Sequence, residues 1–547
     1  MGIFINLLVS RSVKKKEWTK VYKETLPLLS KLNLVERKKC NIDGVDLVCL
    51  VPSEERVKKW GWNKEKTMTG WHASADSVTL SEAESYYLPK DIYEDGEYYD
   101  RKAGDPILSR LSEYVSSCED EDHENDPIRL WGDKTQGEPY HISLLAIACL
   151  LQHRLRNKVF VYGDINKGQC KQAVSIINKY LDDPIDIPDQ CDPERLADRI
   201  VRLGLSEEIQ IEFLSNAYLG NKDEAFGEFI RQRYSENTCD NYWKKTFEDA
   251  KVGYYSFKSN IKNYLLWGFE LERLCDLLIP TDEEGRLRYD SFIEAIMNTK
   301  MHLKEKDLYD VSERNKEAPG AYSIWTLLGQ AFFRGAKNYA IDRYMTLDEI
   351  RSALKSKIGD KIDVDAEIDK CLKNEENESE SKGKTFRDEF KGLEKELIQN
   401  RKDYDISEQS QLMFYEDGDT IEPKLNDALK ESFEVYTGCL QEERFRELMA
   451  EDAGKRCEWL VKNNRYFMIL KEHWEKMFKD IKTTPKSFER YYPAMRLKLG
   501  SSDLVKMVIG IMINDDLYEY CRKLIGEDDV KVDEIGDPYT DSGYEEL

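Results

Sequence analysis

Hydrophobic positions recur first with period two and then, from about residue 130 onward, almost wholly with the 3.6-residue period of amphipathic helices. Ile3, Ile5, Leu7 and Val9 alternate with their neighbours and predict a half-buried strand. Residues 17–32 place Trp18, Val21, Tyr22, Thr25, Leu28, Leu29 and Leu32 at helical spacing, with Pro27 set to kink or shorten that helix. Residues 35–42 and 45–51 flank Asp43-Gly44, a two-residue hairpin signal. Between 60 and 126 the pattern is irregular and aromatic-rich, carrying Trp60, Trp62, Trp71, Tyr86, Tyr87, Tyr93, Tyr98 and Tyr99. Within it, residues 81–87 predict a short helix capped by Ser81. Residues 118–126 read as an acidic loop and a domain boundary.

Beyond that loop the pattern predicts an apolar helix over 141–154, a short strand over 158–162 and an amphipathic helix over 168–181. Further helices are expected over 193–203, 207–219, 224–234, 241–247, 256–278 and 289–297. The rest reads as helices over 321–341, 346–358, 366–372, 386–400, 424–436, 442–463, 466–478, 487–499 and 502–525. Residues 374–384 hold no apolar side chain and read as a linker or mobile loop. The expected fold is therefore α+β and predominantly α-helical. A small strand-helix-hairpin domain over 1–126 precedes a helical domain with one short strand over 127–300. A C-terminal helical domain over 301–526, with its mobile loop near 373–384, and an acidic tail over 527–547 follow.

Composition sharpens this picture. The 547 residues suffice for three or four domains, and 40% hydrophobic with 34% charged residues marks a globular chain. The formal charge is -24, which disfavours non-specific binding to nucleic acid or anionic membranes. Residues 119–126 contribute -6 and residues 527–547 contribute -8, leaving -10 for the remaining chain. The body is thus nearer neutral than the total suggests, and the case against nucleic acid is weaker than it first looks. The longest apolar runs, 144–151 and 505–513, fall far short of the ~18–20 residues a spanning helix needs. No basic region precedes the first apolar stretch, which argues against a secretory signal, and Asn6 stands where a myristoylation motif has Ser or Thr. Twelve scattered cysteines without a Cys-x-x-Cys pair read as reduced thiols of a cytosolic protein, not as a zinc site.

Candidate chemistry is sparse. Trp131-Gly132-Asp133-Lys134-Thr135-Gln136-Gly137-Glu138 and Tyr162-Gly163-Asp164-Ile165-Asn166-Lys167-Gly168-Gln169 share an aromatic-Gly-Asp-x-x-x-Gly pattern before successive helices. The ordinary reading is two similar capped turns. The sharper one is a pair of loops presenting amides, Asp133 and Asp164 to one ligand. The second turn lacks the Gly-Lys-Ser/Thr ending of a phosphate loop, and its acid would repel phosphate. Residues 281–294 mimic a calcium loop, but the register puts Pro280 and Ser291 where ligands belong. The acids of 119–126 around His123 read as a solvated charge run. His141 and His153 lie roughly 18 Å apart along one helix and cannot share a metal or proton. No nucleophile framework is present, and the short basic runs 14–16 and 37–39 make a weak nucleic-acid patch.

The leading expectation is a cytosolic, non-enzymatic protein-interaction protein, of the binding, adaptor or immunity-inhibitor kind. Its acidic surface would steer a protein partner, a basic one by preference. Aromatic anchors among Trp60, Trp62, Trp71, Trp131 and Tyr162 would supply affinity. The alternative is an enzyme of unstated reaction with its site in 131–169, where His141, Asp133 and Asp164 would serve as general acid and base. Nucleic-acid binding is the second alternative. No metal or cofactor is expected, and no membrane partner.

Overall fold

The computed structural model describes residues 3–60, 66–94, 96–109, 127–248, 255–279, 281, 285–299, 301–302, 344–385 and 411–526. Trp62, the acidic loop 119–126, the helices expected over 321–341 and 386–400, and the tail 527–547 lie outside them. The fold is α+β and predominantly helical, with two antiparallel sheets near the start of the chain.

The first sheet has three strands. β1 (Ile5–Val9) lies between β7 (Ile128–Trp131) and β8 (Val159–Gly163), so the sheet is assembled across residue 126. β1 was expected to be half-buried, but all five of its residues are buried. Ile5, Leu7 and Val9 enter one cluster with α1 (Lys15–Lys31) and the apolar α2 (Tyr140–Leu155), while the other face is covered from a different direction. Pro27 does not shorten α1, which runs on to Lys31.

The second sheet is built from β2 (Leu34–Ile42), β3 (Val45–Pro52), β4 (Arg56–Trp60), β5 (Lys66–Asp76) and β6 (Glu82–Pro89). Strands run in the order β3-β2-β5-β4, with β6 also on β5. Asp43 (φ 52°) and Gly44 (φ 88°) make the expected hairpin turn, since both central residues of a type I′ turn need positive φ. Residues 81–87 are not a helix. They enter β6, where Tyr86 and Leu88 alternate into the core and pair with Ala73 and Trp71.

Helices α3 (Lys167–Ile177), α4 (Pro193–Val201), α5 (Glu207–Ala217), α6 (Glu224–Arg233), α7 (Glu236–Glu248), α8 (Tyr255–Leu266), α9 (Leu271–Leu277), α10 (Tyr289–Met297), α11 (Leu347–Ile358) and α12 (Val364–Thr385) follow. From α4 onward they share one cluster around Trp243, Tyr264 and Trp267. The helix expected over 256–278 is broken at Gly268 (φ 75°) into α8 and α9. The break fits because Gly227 of α6 approaches Trp267 too closely for any Cβ. α12 carries helix through the expected linker 374–384.

The last helices are α13 (Pro423–Gly438), α14 (Glu443–Met449), α15 (Ala453–Asn463), α16 (Lys471–Thr483), α17 (Phe488–Arg496), α18 (Ser502–Ile513) and α19 (Asp515–Leu524). They return to the second sheet, clustering with Val35, Leu47, Cys49 and Val51. Two expected long helices are split here by capping residues. Asp452 accepts from Lys455 N at 3.0 Å and starts α15, and Asn514 accepts from Leu517 N at 2.9 Å and starts α19. The helix expected from 466 begins only at Lys471, because Ile469 O accepts from Leu50 N of β3 at 2.9 Å.

Candidate functional site: a cleft on the second face of the first sheet

In an extended strand alternate side chains face opposite ways, so Asn6 and Leu8 of β1 point away from α2. Register puts Tyr162 opposite Asn6, and Phe160 and Arg129 opposite Leu8. Arg129 reaches this face only because the β1–β7 register slips by one residue at Leu130. Trp131 pairs with Leu7 on the core face and Arg129 with Leu8 on the other. α5 covers part of this second face with Phe213, and between them a cleft of about 470 Å³ opens at Asn216 and Ala217.

The cleft has two poles. Arg129 Nη2 donates to Asn6 Oδ1 at 2.9 Å, and among the described residues the guanidinium meets no carboxylate within ion-pair distance. Asn6 is only 8% exposed, and its amide nitrogen makes no hydrogen bond to a described residue. Across β1, Asp164 Oδ2 accepts from Phe4 N at 2.9 Å while Asp164 N donates to Phe4 O at 2.9 Å. Gly163 makes that approach possible, because a Cβ there would sit 2.5 Å from Phe4 O.

The cleft floor is a polar seal on the free edge of β8. Gln152 and Gln190, 3% and 1% exposed, form a reciprocal amide pair at 2.7 and 3.2 Å. Gln152 Oε1 accepts from Val161 N at 2.9 Å, and Gln190 Nε2 donates to Val161 O at 2.7 Å. One step along the edge, Arg199 donates to Val159 O at 3.2 Å while forming a bidentate pair with Asp105 at 2.7 Å. The edge of a small sheet is thus closed by side chains and offers no strand-pairing surface at these residues. A second cleft, about 630 Å³, lies beyond Leu219 against Asn166, Lys167, Lys171 and Asn221.

The two aromatic-Gly-Asp turns bracket the same point of the chain. Thr135 N donates to Ile3 O at 2.8 Å, Lys134 bridges Phe4 on one side, and Asp164 flanks Phe4 on the other. They do not present a shared pair of carboxylates. Asp133 is exposed and does not line the cleft. Its carboxyl is pushed up by partial burial and by Glu84, against the pull of Arg129. His141 is fully buried, with Nδ1 at 2.7 Å from Thr135 Oγ1, and burial lowers its pKa to about 4. Of the three acid-base candidates only Asp164 reaches the cleft.

Trp71 and Trp131 are core residues, not surface anchors. Their rings meet edge to face at 6.3 Å, and their Nε1 atoms donate to Thr25 Oγ1 at 3.0 Å and Tyr87 O at 2.8 Å. Tyr162 is half-buried in the cleft wall, and Trp60 closes β4. Sequence reasoning missed Asn6, Arg129, Gln152, Gln190, Phe213 and Asn216. Asn6 alone carried a signal, as the one polar residue within the apolar run 3–9. Among the described residues no group of three His, Cys, Asp or Glu side chains is placed to hold a metal, and no helix is long and apolar enough to cross a membrane. No family model, curated protein or solved structure matches the chain.

Proposed function

We propose that this chain is a non-enzymatic binding protein whose recognition site is the cleft between the second face of the first sheet and α5. The observation that carries the reading is that oppositely charged Arg129 and Asp164 line one cleft, Arg129 held by a hydrogen bond to Asn6 of β1 and Asp164 by one to Phe4 just before it. Fixed polar groups in a concave site of about 470 Å³ suit ligand recognition, since such sites run from about 300 to 1,000 Å³. The enzyme reading needs a proton-transfer set in the cleft, whereas His141 is enclosed in the core and Asp133 lies off the cleft lining.

The test is a small-molecule library screened by thermal shift on the full chain and on Ala217→Trp, which fills the cleft from the end of α5. Hits that shift the wild type and lose the shift in the variant are expected. A library that yields none, or hits indifferent to the plug, would overturn the reading. The charge of -24 supports a second, larger partner of basic character. Recovery of that protein from extract should fall as salt rises. The proposed setting is a reducing cytosol, in keeping with eleven described cysteines that are all free thiols.

A further inference from the structure

Resting on the cleft as the recognition site, we infer that its ligand is a small zwitterion bearing both an ammonium and a carboxylate group, of the free amino-acid class. The two poles give the argument. At one, the guanidinium of Arg129 and the amide nitrogen of Asn6 are adjacent donors, because Arg129 is itself held on Asn6 Oδ1. Two donors side by side suit the two oxygens of a carboxylate. At the other, Asp164 brings a carboxylate whose Oδ2 is held by Phe4 N, leaving Oδ1 to accept from a cation. The poles are anchored on Asn6 of β1 and on Phe4, the bridge residue just before it, two residues apart along extended chain, so about 7 Å separates their anchor points. A ligand spanning them needs opposite charges a few ångströms apart.

Charge excludes the simpler alternatives. A phosphate or nucleotide would meet Asp164 with like charge, and a purely cationic ligand would meet Arg129. Tyr162, Phe213 and Ala217 line the same cleft beside Asn216 and Gln190, so it offers aromatic and apolar surface to an amino-acid side chain as well as polar groups.

The experiment is titration calorimetry of the full chain against the twenty free L-amino acids. The best binder is then compared with its N-acetyl form, which keeps only the anion, and its amide, which keeps only the cation. Each capped form is expected to bind about 10- to 100-fold more weakly, the range for a lost charged hydrogen bond. Arg129→Met should abolish the preference for the free carboxylate and leave the preference for the free amine. Asp164→Asn, which keeps an oxygen for Phe4 N, should do the reverse. A capped form or a nucleoside monophosphate binding as tightly as the free amino acid overturns the zwitterion. So does failure of all twenty to bind. If the plug-sensitive library hits persist in that case, the cleft reading survives. If they too are absent, both fall.

Discussion

Replacing the two glutamines beneath the cleft tests whether they seal the edge of β8 as one unit. Gln152→Leu removes the acceptor of Val161 N and the donor to Gln190 Oε1, while Gln190 keeps its bond to Val161 O. Gln190→Leu removes the donor to Val161 O and the acceptor of Gln152 Nε2, while Gln152 keeps Val161 N. Each single change therefore orphans two buried polar atoms. The double change orphans two as well, the N–H and C=O of Val161. With about 1–3 kcal/mol for each orphan, every one of the three variants should lose about 2–6 kcal/mol. Independent sites would instead give about 4–12 kcal/mol for the double, so the coupling is itself about 2–6 kcal/mol. Leucine is close to glutamine in size and both sites are almost wholly buried, so packing changes little. Urea unfolding gives the three losses, and amide exchange at Val161 localises them, quickening when Gln152 is replaced. A double variant whose loss equals the sum of the singles would refute the account.

Other consequences are equally direct. His141 has its pKa lowered to about 4 by burial, so the unfolded chain takes up a proton first as pH falls. Its stabilising contribution is complete above about pH 6.5 and disappears on descent to about pH 4, costing about 3 kcal/mol. Urea midpoints should show that His141→Gln lacks this component, and parallel pH profiles would refute it. Arg199→Met leaves Asp105 without its buried bidentate partner and should cost about 3–5 kcal/mol. Adding Asp105→Asn should recover part of that loss, and strict additivity would refute the pairing. Asn514→Ala removes the cap of α19 together with bonds to Met413 O and Tyr415 O at 3.1 and 2.8 Å. A loss of about 1–3 kcal/mol, with faster proteolysis near 411–415, is expected, and an unchanged cleavage rate would count against the tether.

What was legible in the chain was what local chemistry decides. Asp43-Gly44 dictates its turn because positive φ at both positions is a property of those residues. The apolar run of α2 survives as a helix because it is buried on nearly every side, and the helical period of α10 survives because one face meets the core. Residues 81–87 misled because the expected cap Ser81, and Glu84 after it, serve distant partners. Ser81 Oγ accepts from Lys506 Nζ at 2.8 Å, and Glu84 Oε2 accepts from Lys134 N at 2.7 Å. Competition from elements 425 and 50 residues away leaves no trace in a local pattern. The same holds at the turn before α2, where His141 looked like a reactive group at a helix start. Thr135, six residues earlier, and the enclosing core turn it into a neutral structural residue.

The cleft was hidden for a more specific reason. Strict alternation in Ile128-Arg129-Leu130-Trp131 puts Arg129 and Trp131 on one face, so a reader who buries Trp131 must bury Arg129 beside it. The one-residue slip at Leu130 separates them, and a tryptophan of the core becomes compatible with an arginine in a cleft. That slip weakens the β1–β7 ladder, and Asn6 adds a polar side chain to a strand buried on both faces. An apolar residue at position 6 and a regular β7 would pack the second face against α5 more favourably. Both departures from a simple core converge on the same place: each sets a donor beside the other, facing Asp164 across β1. Sequences depart from local consistency chiefly where a site demands it. Two such departures meeting in one cleft set this region apart from Asn166–Asn221, where capped helix and surface lysines need no such explanation.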